Sequence, residues 1–214
     1  GRATRYDGGE PMNTEDLIER VRQAYAGAVA YRDHGFVTLT ADDGEVEAET
    51  AIGINATFKT AFARSRALEF EYRRSRGDFD LIRATEGLLV EYVAMGQKVR
   101  EATSLMLAIA GLTGITWGVA HTVSRLLMPR EIEGVELWNL GSGHVVWKRR
   151  EIVEGDACSV LLLGNDRTEV AVRETDFAVR RVVQRDFMSV KRTYMKVNLV
   201  ITYHPTILTE RTPG

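Results

Sequence analysis

The side chains best suited to chemistry are few and scattered. The four histidines, His34, His121, His144 and His204, stand far apart, and none lies four residues from another. Metal sites draw their ligands at short, regular spacings, so this scatter points to structural or surface roles. His121 differs, because it sits in an apolar run where its ring needs a hydrogen-bond partner or a wet edge. The lone cysteine, Cys158, excludes an internal disulfide and a cysteine-built metal site. Within "ACSVLLL" it has the setting of a small buried hydrophobe. There is no glycine-rich phosphate loop, no G-x-S-x-G elbow and no H-E-x-x-H pair. No catalytic residue, metal or cofactor is assigned on these grounds.

Composition narrows the class further. A net charge of −2 argues against a nucleic-acid binder, whose phosphate contacts need a concentrated basic surface. The arginine pairs Arg73–Arg74, Arg149–Arg150 and Arg180–Arg181 are interleaved with acids, and are expected on solvated strand faces. At 214 residues the chain is long enough to bury a core unaided, and it shows no repeat or linker that would divide it. Residues 1–12 read as a disordered linker or an expression scar, with no apolar signal segment, and residues 13–214 as one domain.

The positioning elements follow from periodicity. Asn13 or Thr14 caps a helix whose apolar residues Leu17, Ile18, Val21, Ala24, Tyr25, Ala28 and Val29 recur at helical steps. That period predicts a helix to about Arg32, ended by His34–Gly35. Beyond it the period becomes two. In "LEFEYR" Leu68, Phe70 and Tyr72 face one way, with Glu69, Glu71 and Arg73 on the other parity; Ile54, Phe58 and Phe62 share a parity of their own. Short strands follow, with turns at Asp42–Gly44, Thr85–Gly87, Gly141–Gly143, Glu154–Asp156, Gly164–Asp166 and Glu174–Asp176. "VELWNL" is among the strands expected after the middle of the chain. Short loops join antiparallel neighbours, so about eleven strands in a curling antiparallel sheet are predicted.

One segment interrupts the strands. From Ala102 to Pro129 no Asp, Glu, Lys or Arg occurs before Arg125, a length that raises a membrane span. Its glycines (Gly111, Gly114, Gly118) and threonines predict instead two shorter helices broken near Gly111–Gly114, and no transmembrane span. A span would also divide a continuous sheet across a bilayer. A helix apolar all round needs cover on every side. Two uses remain open: plain core filler, or a cover over a space that a ligand's hydrocarbon fills.

"FARSRALEFEYR" (62–73) resembles the strand–loop–strand of the LolA-like lipoprotein-sorting and carrier proteins. Arg64 stands at the basic position and Phe70-Glu71-Tyr72 at the aromatic end, while Ser65 departs from a usual proline. "LIRATEGLLVEYV" is similar to the following hairpin, with Gly87 and Tyr92 in place. The apolar insert ending "LLMP", then "VEGDACSVLLL", "VAVRETDFAVRRVVQ" and "ITYHP", keep the expected order. This resemblance implies an α+β fold: an unclosed, strongly curved antiparallel β-barrel with an N-terminal helix and an inserted helical lid. It implies non-enzymatic binding of acyl chains of lipids or lipoproteins in a hydrophobic cavity, in the periplasm or at the outer membrane, with an envelope protein as a further partner. On matched position Arg64 would help hold the lid closed. The expected cavity residues are Ile54, Phe58, Phe62, Leu68, Phe70, Tyr72 and Tyr92 from the strands, with Leu105, Ile109, Leu112, Ile115, Trp117 and Val119 from the lid. The alternatives are a structural or interaction protein with a filled core, or an enzyme on the same scaffold.

Overall fold

The computed structural model describes residues 13–41, 55–65, 67–99, 104–129, 144–164, 167–190 and 193–209. Helix α1 (Thr14–Ala26) opens at Asn13, whose side-chain oxygen accepts from the Glu15 amide, and carries Glu15 and Asp16 at the positive end of its dipole. It buries Leu17, Val21 and Tyr25 along one stripe. The predicted extension to Arg32 does not occur. The helix stops at Ala26, Gly27 caps it, and β1 (Ala28–Ala41) begins at once. From Tyr31 onward the period is already two: Tyr31, Asp33, Gly35, Val37 and Leu39 are buried, and their neighbours are exposed or half-buried. Gly35 ends nothing. It sits in mid-strand, where a Cβ would fall 2.1 Å from the Thr202 carbonyl oxygen and 2.3 Å from the Phe58 ring.

Five strands follow β1 as a meander: β2 (Asn55–Ala63), β3 (Ala67–Arg74), β4 (Phe79–Thr85), β5 (Leu88–Ala94) and β6 (Gln97–Lys98). After two helices come β7 (Val145–Val153), β8 (Asp156–Leu163), β9 (Thr168–Arg173), β10 (Val179–Val190), β11 (Thr193–Tyr203) and β12 (Thr206–Thr209). Tight hairpins with both turn residues at positive φ join several of these, as at Glu86–Gly87 and Glu154–Gly155. Every pairing is antiparallel, and the order is β6-β5-β4-β3-β2-β1-β11-β10-β9-β8-β7, with β12 also on β1. The result is an open, curved, barrel-like sheet of twelve strands with helices. Strand β1 is its hub. One edge pairs with β2, and the other is shared in turn by β11 (from Gly35) and β12 (to Arg32), with His204–Pro205 between them. The expected strand "VELWNL" and the turns Asp42–Gly44 and Gly141–Gly143 lie outside the described residues.

The apolar insert forms two helices, α2 (Leu105–Ile115) and α3 (Val119–Leu127). The break comes after Ile115 and not at Gly111–Gly114. Trp117 and Gly118 take positive φ, and the Thr116 hydroxyl bridges the gap, donating to the Leu112 carbonyl and accepting from the Ala120 amide. Gly111 stays inside α2 and serves close packing: a Cβ there would lie 2.5 Å from the Tyr92 hydroxyl oxygen. No helix among the described residues is long and apolar enough to cross a membrane.

The three helices and the inward parities of the strands form one buried cluster, which includes Tyr25, Tyr31, Phe58, Phe70, Tyr72 and Tyr203. These glycines make opposite predictions. Gly35→Ala should lose about 3 kcal/mol or more in urea unfolding, because backbone and ring both block the methyl. Gly114→Ala, whose methyl meets nothing within 4 Å, should gain roughly 0.5–1 kcal/mol through helix propensity. Equal effects from the two would contradict the packing described.

Candidate functional site

The interior under α2 and α3 is where the expected residues meet. Phe58, Phe62, Leu68, Phe70, Tyr72 and Tyr92 point inward from β2, β3 and β5, and join Leu105, Ile109, Leu112 and Val119 in the buried cluster. Ile115 and Trp117 pack against its margin, partly exposed. Ile54 lies outside the described residues. Side chains of the two helices thus occupy the space above the sheet, and five aromatic rings of the sheet, with Tyr25 of α1, are at most 2% exposed.

Arg64 stands at the rim, just after β2. Its Nε donates to the Ala28 carbonyl (2.9 Å), Nη2 to those of Tyr25 and Ala26 (3.1 and 2.5 Å), and Nη1 to that of Leu127 (3.2 Å). A helix leaves its last four carbonyls without intrahelical partners, and the negative end of its dipole favours a cation there. One guanidinium therefore closes the C-terminal ends of both α1 and α3, and stacks on the Phe62 ring at 5.3 Å. All four partners are neutral carbonyls.

A second arginine, not singled out by sequence, does the same for α2 at the other end of β3. Arg74 Nη2 donates to the Ile115 carbonyl (3.2 Å) and to Asp80 Oδ2 (2.5 Å), while Nη1 reaches Asp78 Oδ2 at 2.9 Å. Asp80 is fully buried, and its other oxygen accepts from the Met95 amide at 2.6 Å. Asp80 thus fixes Arg74 on the sheet, and removing Arg74 would strand a buried carboxylate; its tie to α2 is the single bond to the Ile115 carbonyl, as that of Arg64 to α3 is the single bond to Leu127.

Inside the cluster lies an unexpected acid. Asp33 is 6% exposed and accepts from the Tyr31 hydroxyl at 2.7 Å through Oδ2, with Thr60 on its other side. Burial pushes its carboxyl up to about 6, against the opposing pull of Tyr31 and of Thr60, its register partner on β2. On α3 Thr122 is buried against the Tyr203 hydroxyl of β11, and His121 Nε2 is buried without a hydrogen-bond partner. His121, expected to need a partner or a wet edge, is 3% exposed, and burial, then Arg125, lowers its pKa. Asp33 had a signal in the sequence. Once β1 is given a period of two, the acid falls on the apolar parity of Tyr31, Val37 and Leu39.

Cys158 is buried as expected, and burial pushes its thiol up to about 12. The arginine pairs do not all face solvent. Arg180 is 4% exposed, with Nε 2.8 Å from Asp156 Oδ2, and Arg149 joins Lys148 and Arg185 on the buried Glu169. Burial opposes ionisation of Glu169, yet those three cations hold its carboxyl at about 2. Among the described residues no group of three His, Cys, Asp or Glu could hold a metal ion.

The raised pKa of Asp33 fixes the sign of a pH effect. Between about pH 4 and pH 6 the folded chain keeps a proton that the unfolded chain has lost, so stability falls as pH rises through that window. Asp33→Asn lacks this dependence. The stability of the native chain minus that of the variant should drop by roughly 2–3 kcal/mol from pH 4 to pH 7 in urea unfolding. A difference that stays flat with pH would contradict the assignment.

No protein-family model and no curated protein matches the sequence. Several solved structures are similar in fold. The MucA/MucB complex of Pseudomonas aeruginosa gives a TM-score of 0.45 at 8% identity, over 92% of this chain and 59% of that one. This chain thus spans about three fifths of the MucB length it matches. A DUF1329 family protein from Desulfovibrio piger gives 0.33 at 13% identity, covering 94% of this chain and 93% of the other. A LolA superfamily protein from Nitrosomonas europaea gives 0.30 at 11% identity, covering 94% and 96%. The solved structures similar to this chain therefore include a member of the LolA superfamily.

Proposed function

We propose that the protein is a non-enzymatic carrier of the cell envelope, periplasmic or outer-membrane-associated, which takes an acyl chain of a lipid or lipoprotein between its sheet and the α2–α3 lid. The observation that carries this reading is the pair of arginine contacts. An apolar helical cover lies over an apolar sheet face, and it is tied down at its ends by hydrogen bonds to helix-terminal carbonyls. In the closed state the lid's own Ile109, Leu112, Val119 and Leu127 fill the interior. An incoming chain replaces their contacts with the sheet, so the apolar surface stays covered in both states.

The energetics suit reversible loading. Each methylene moved out of water is worth about 0.8 kcal/mol, so a long chain supplies on the order of 10 kcal/mol gross. Lid opening and chain ordering offset part of this. Arg64 meets α3, and Arg74 meets α2, through one bond to a neutral carbonyl, each worth on the order of 1.5–3 kcal/mol as a charge-assisted bond. What differs is the seating of the helices: α2 packs on β4 and β5, and α3 on α1 and α2. We therefore take α3 as the part that lifts and α2 as the hinge side, with the Thr116–Gly118 break between them as the joint.

The filled interior favours the second reading, a structural or interaction protein with a solid core, and one experiment separates the two. A long-chain fatty acid titrated into the protein should change the fluorescence of Trp117 saturably, with Trp117→Phe as the control. Protein purified without detergent should release lipid to organic extraction. Arg64→Ala should load faster by about tenfold, as expected from the loss of one such bond. No saturable signal and no extractable lipid would leave the solid-core reading in its place.

A further inference from the structure

The outer face of the sheet, turned away from the helices, divides its charges unevenly. Over β2–β5 it carries Lys59, Arg73 and Arg83 against Glu69, Glu71 and Glu91, and the two signs balance. Over β7–β11 they do not. Lys148 and Arg149 on β7, Arg181 and Arg185 on β10 and Lys196 on β11 share that face with two acids, Glu151 on β7 and Glu169 on β9. Nearer the Glu154–Gly155 turn, Arg173 and Arg180 are matched by Glu154, Asp156 and Asp176. Among the described residues the excess of cations therefore lies toward the other end of these strands.

Depth separates the two signs further. The Glu169 side chain lies at the bottom, 3% exposed, with Lys148 at 2.6 Å and Arg149 and Arg185 at 2.8 Å. Arg149 also reaches Glu151 at 2.8 Å, and Arg181 pairs with Glu151 from three strands away. These long side chains span a small apolar floor of Cys158, Val160 and Ala171, itself at most 2% exposed. The four paired cations are 26–45% exposed, Glu151 only 19%, and Lys196 is exposed. Coulomb interaction falls with distance, so a partner lying on this face meets the cations first. It is a positive plate on a chain whose net charge is −2.

The shape of the plate says what fits it. Five neighbouring strands span about 20 Å at the usual spacing. A protein partner is anchored by large apolar side chains seated in pockets. Here the apolar floor is covered, and the exposed large hydrophobics of the described residues lie off this face. A layer of phosphates needs only positive charge spread over a broad surface, and guanidinium groups suit phosphate oxygens.

We propose that the outer face of β7–β11 docks the protein on an anionic phospholipid surface, with Lys148, Arg149, Arg181, Arg185 and Lys196 against the phosphates. All three helices pack on the opposite face, so docking leaves the lid free to lift. The inference goes beyond the carrier reading, because it holds whether the interior is filled by side chains or by a ligand.

Co-sedimentation of the full chain with large vesicles tests it. At about 20 mM salt, vesicles of phosphatidylcholine with about 30% phosphatidylglycerol should bind at least about tenfold more tightly than phosphatidylcholine alone, and about 300 mM salt should remove most of that preference. Lys196→Glu should weaken binding about fivefold or more. Lys59→Glu, the same change of charge on the balanced half of the face, should stay within about twofold of the native chain. Arg185→Gln leaves Lys148 and Arg149 on Glu169, should weaken binding by a smaller factor, and reads the plate a second time if Lys196→Glu does not fold. Equal binding to the two kinds of vesicle overturns the inference, and so does equal weakening by Lys196→Glu and Lys59→Glu. Binding of a polyglutamate peptide without binding to anionic vesicles would also overturn it, assigning the face to an acidic polypeptide. Saturable loading of fatty acid, read at Trp117, is measured without vesicles, so the carrier reading stands or falls separately.

Discussion

The structure turns on the guanidinium of Arg64. Two helices end at the same corner of the sheet, each with backbone carbonyls that its own hydrogen bonds cannot satisfy. Left bare, those carbonyls would have to face water, and α1 and α3 could not both dock there. Four donor contacts from one planar group let them converge beside the start of β1. The position of Arg64 follows from register. Its backbone amide bonds the Val29 carbonyl at 2.9 Å as β2 ends, which places the side chain at the corner where the helices arrive.

The rest of the architecture can be read outward from that corner. Strand β1 carries the load by pairing with three strands, and its inward residues lay down the aromatic floor. The β2–β3 hairpin supplies Arg64 near one end and Arg74 at the other, so a single pair of strands ties down both lid helices. Each tie is one bond to a helix-end carbonyl, and the difference lies in the seating: α2 packs on β4 and β5, while α3 packs on α1 and α2. A cover seated on the sheet at one side and on other helices at the other moves as a flap.

Much of this was legible in the residues. The alternation of Leu68, Phe70 and Tyr72, the paired turn residues, and the chargeless stretch before Arg125 predicted a curling antiparallel sheet with a broken helical insert; that the sheet stays unclosed came from the resemblance of 62–73 to the LolA-like proteins. The failures have physical causes. Residues 28–32 carry alanine, valine and tyrosine in a spacing that suits either period, and pairing with β12 on one edge and β2 on the other makes them a strand. That error hid Asp33, because a helical reading places it on a polar face. The helix break was sought at Gly111 and Gly114, yet glycine in a helix can serve close packing, as Gly111 does for Tyr92. Arg74 looked like surface charge because its partner Asp80 is buried by the fold and not by its own apolar neighbours.

The central claim is that α3 is a flap held by Arg64 and free to lift without unfolding the sheet. Hydrogen–deuterium exchange of the backbone amides tests this directly. The account predicts that amides of Val119–Leu127 exchange through a local opening, faster than those paired between β1 and β11. It also predicts that Arg64→Ala speeds exchange in that helix while leaving the β1–β11 ladder as protected as before. Exchange of α3 only through the same global unfolding that releases the sheet, with or without Arg64, would contradict it.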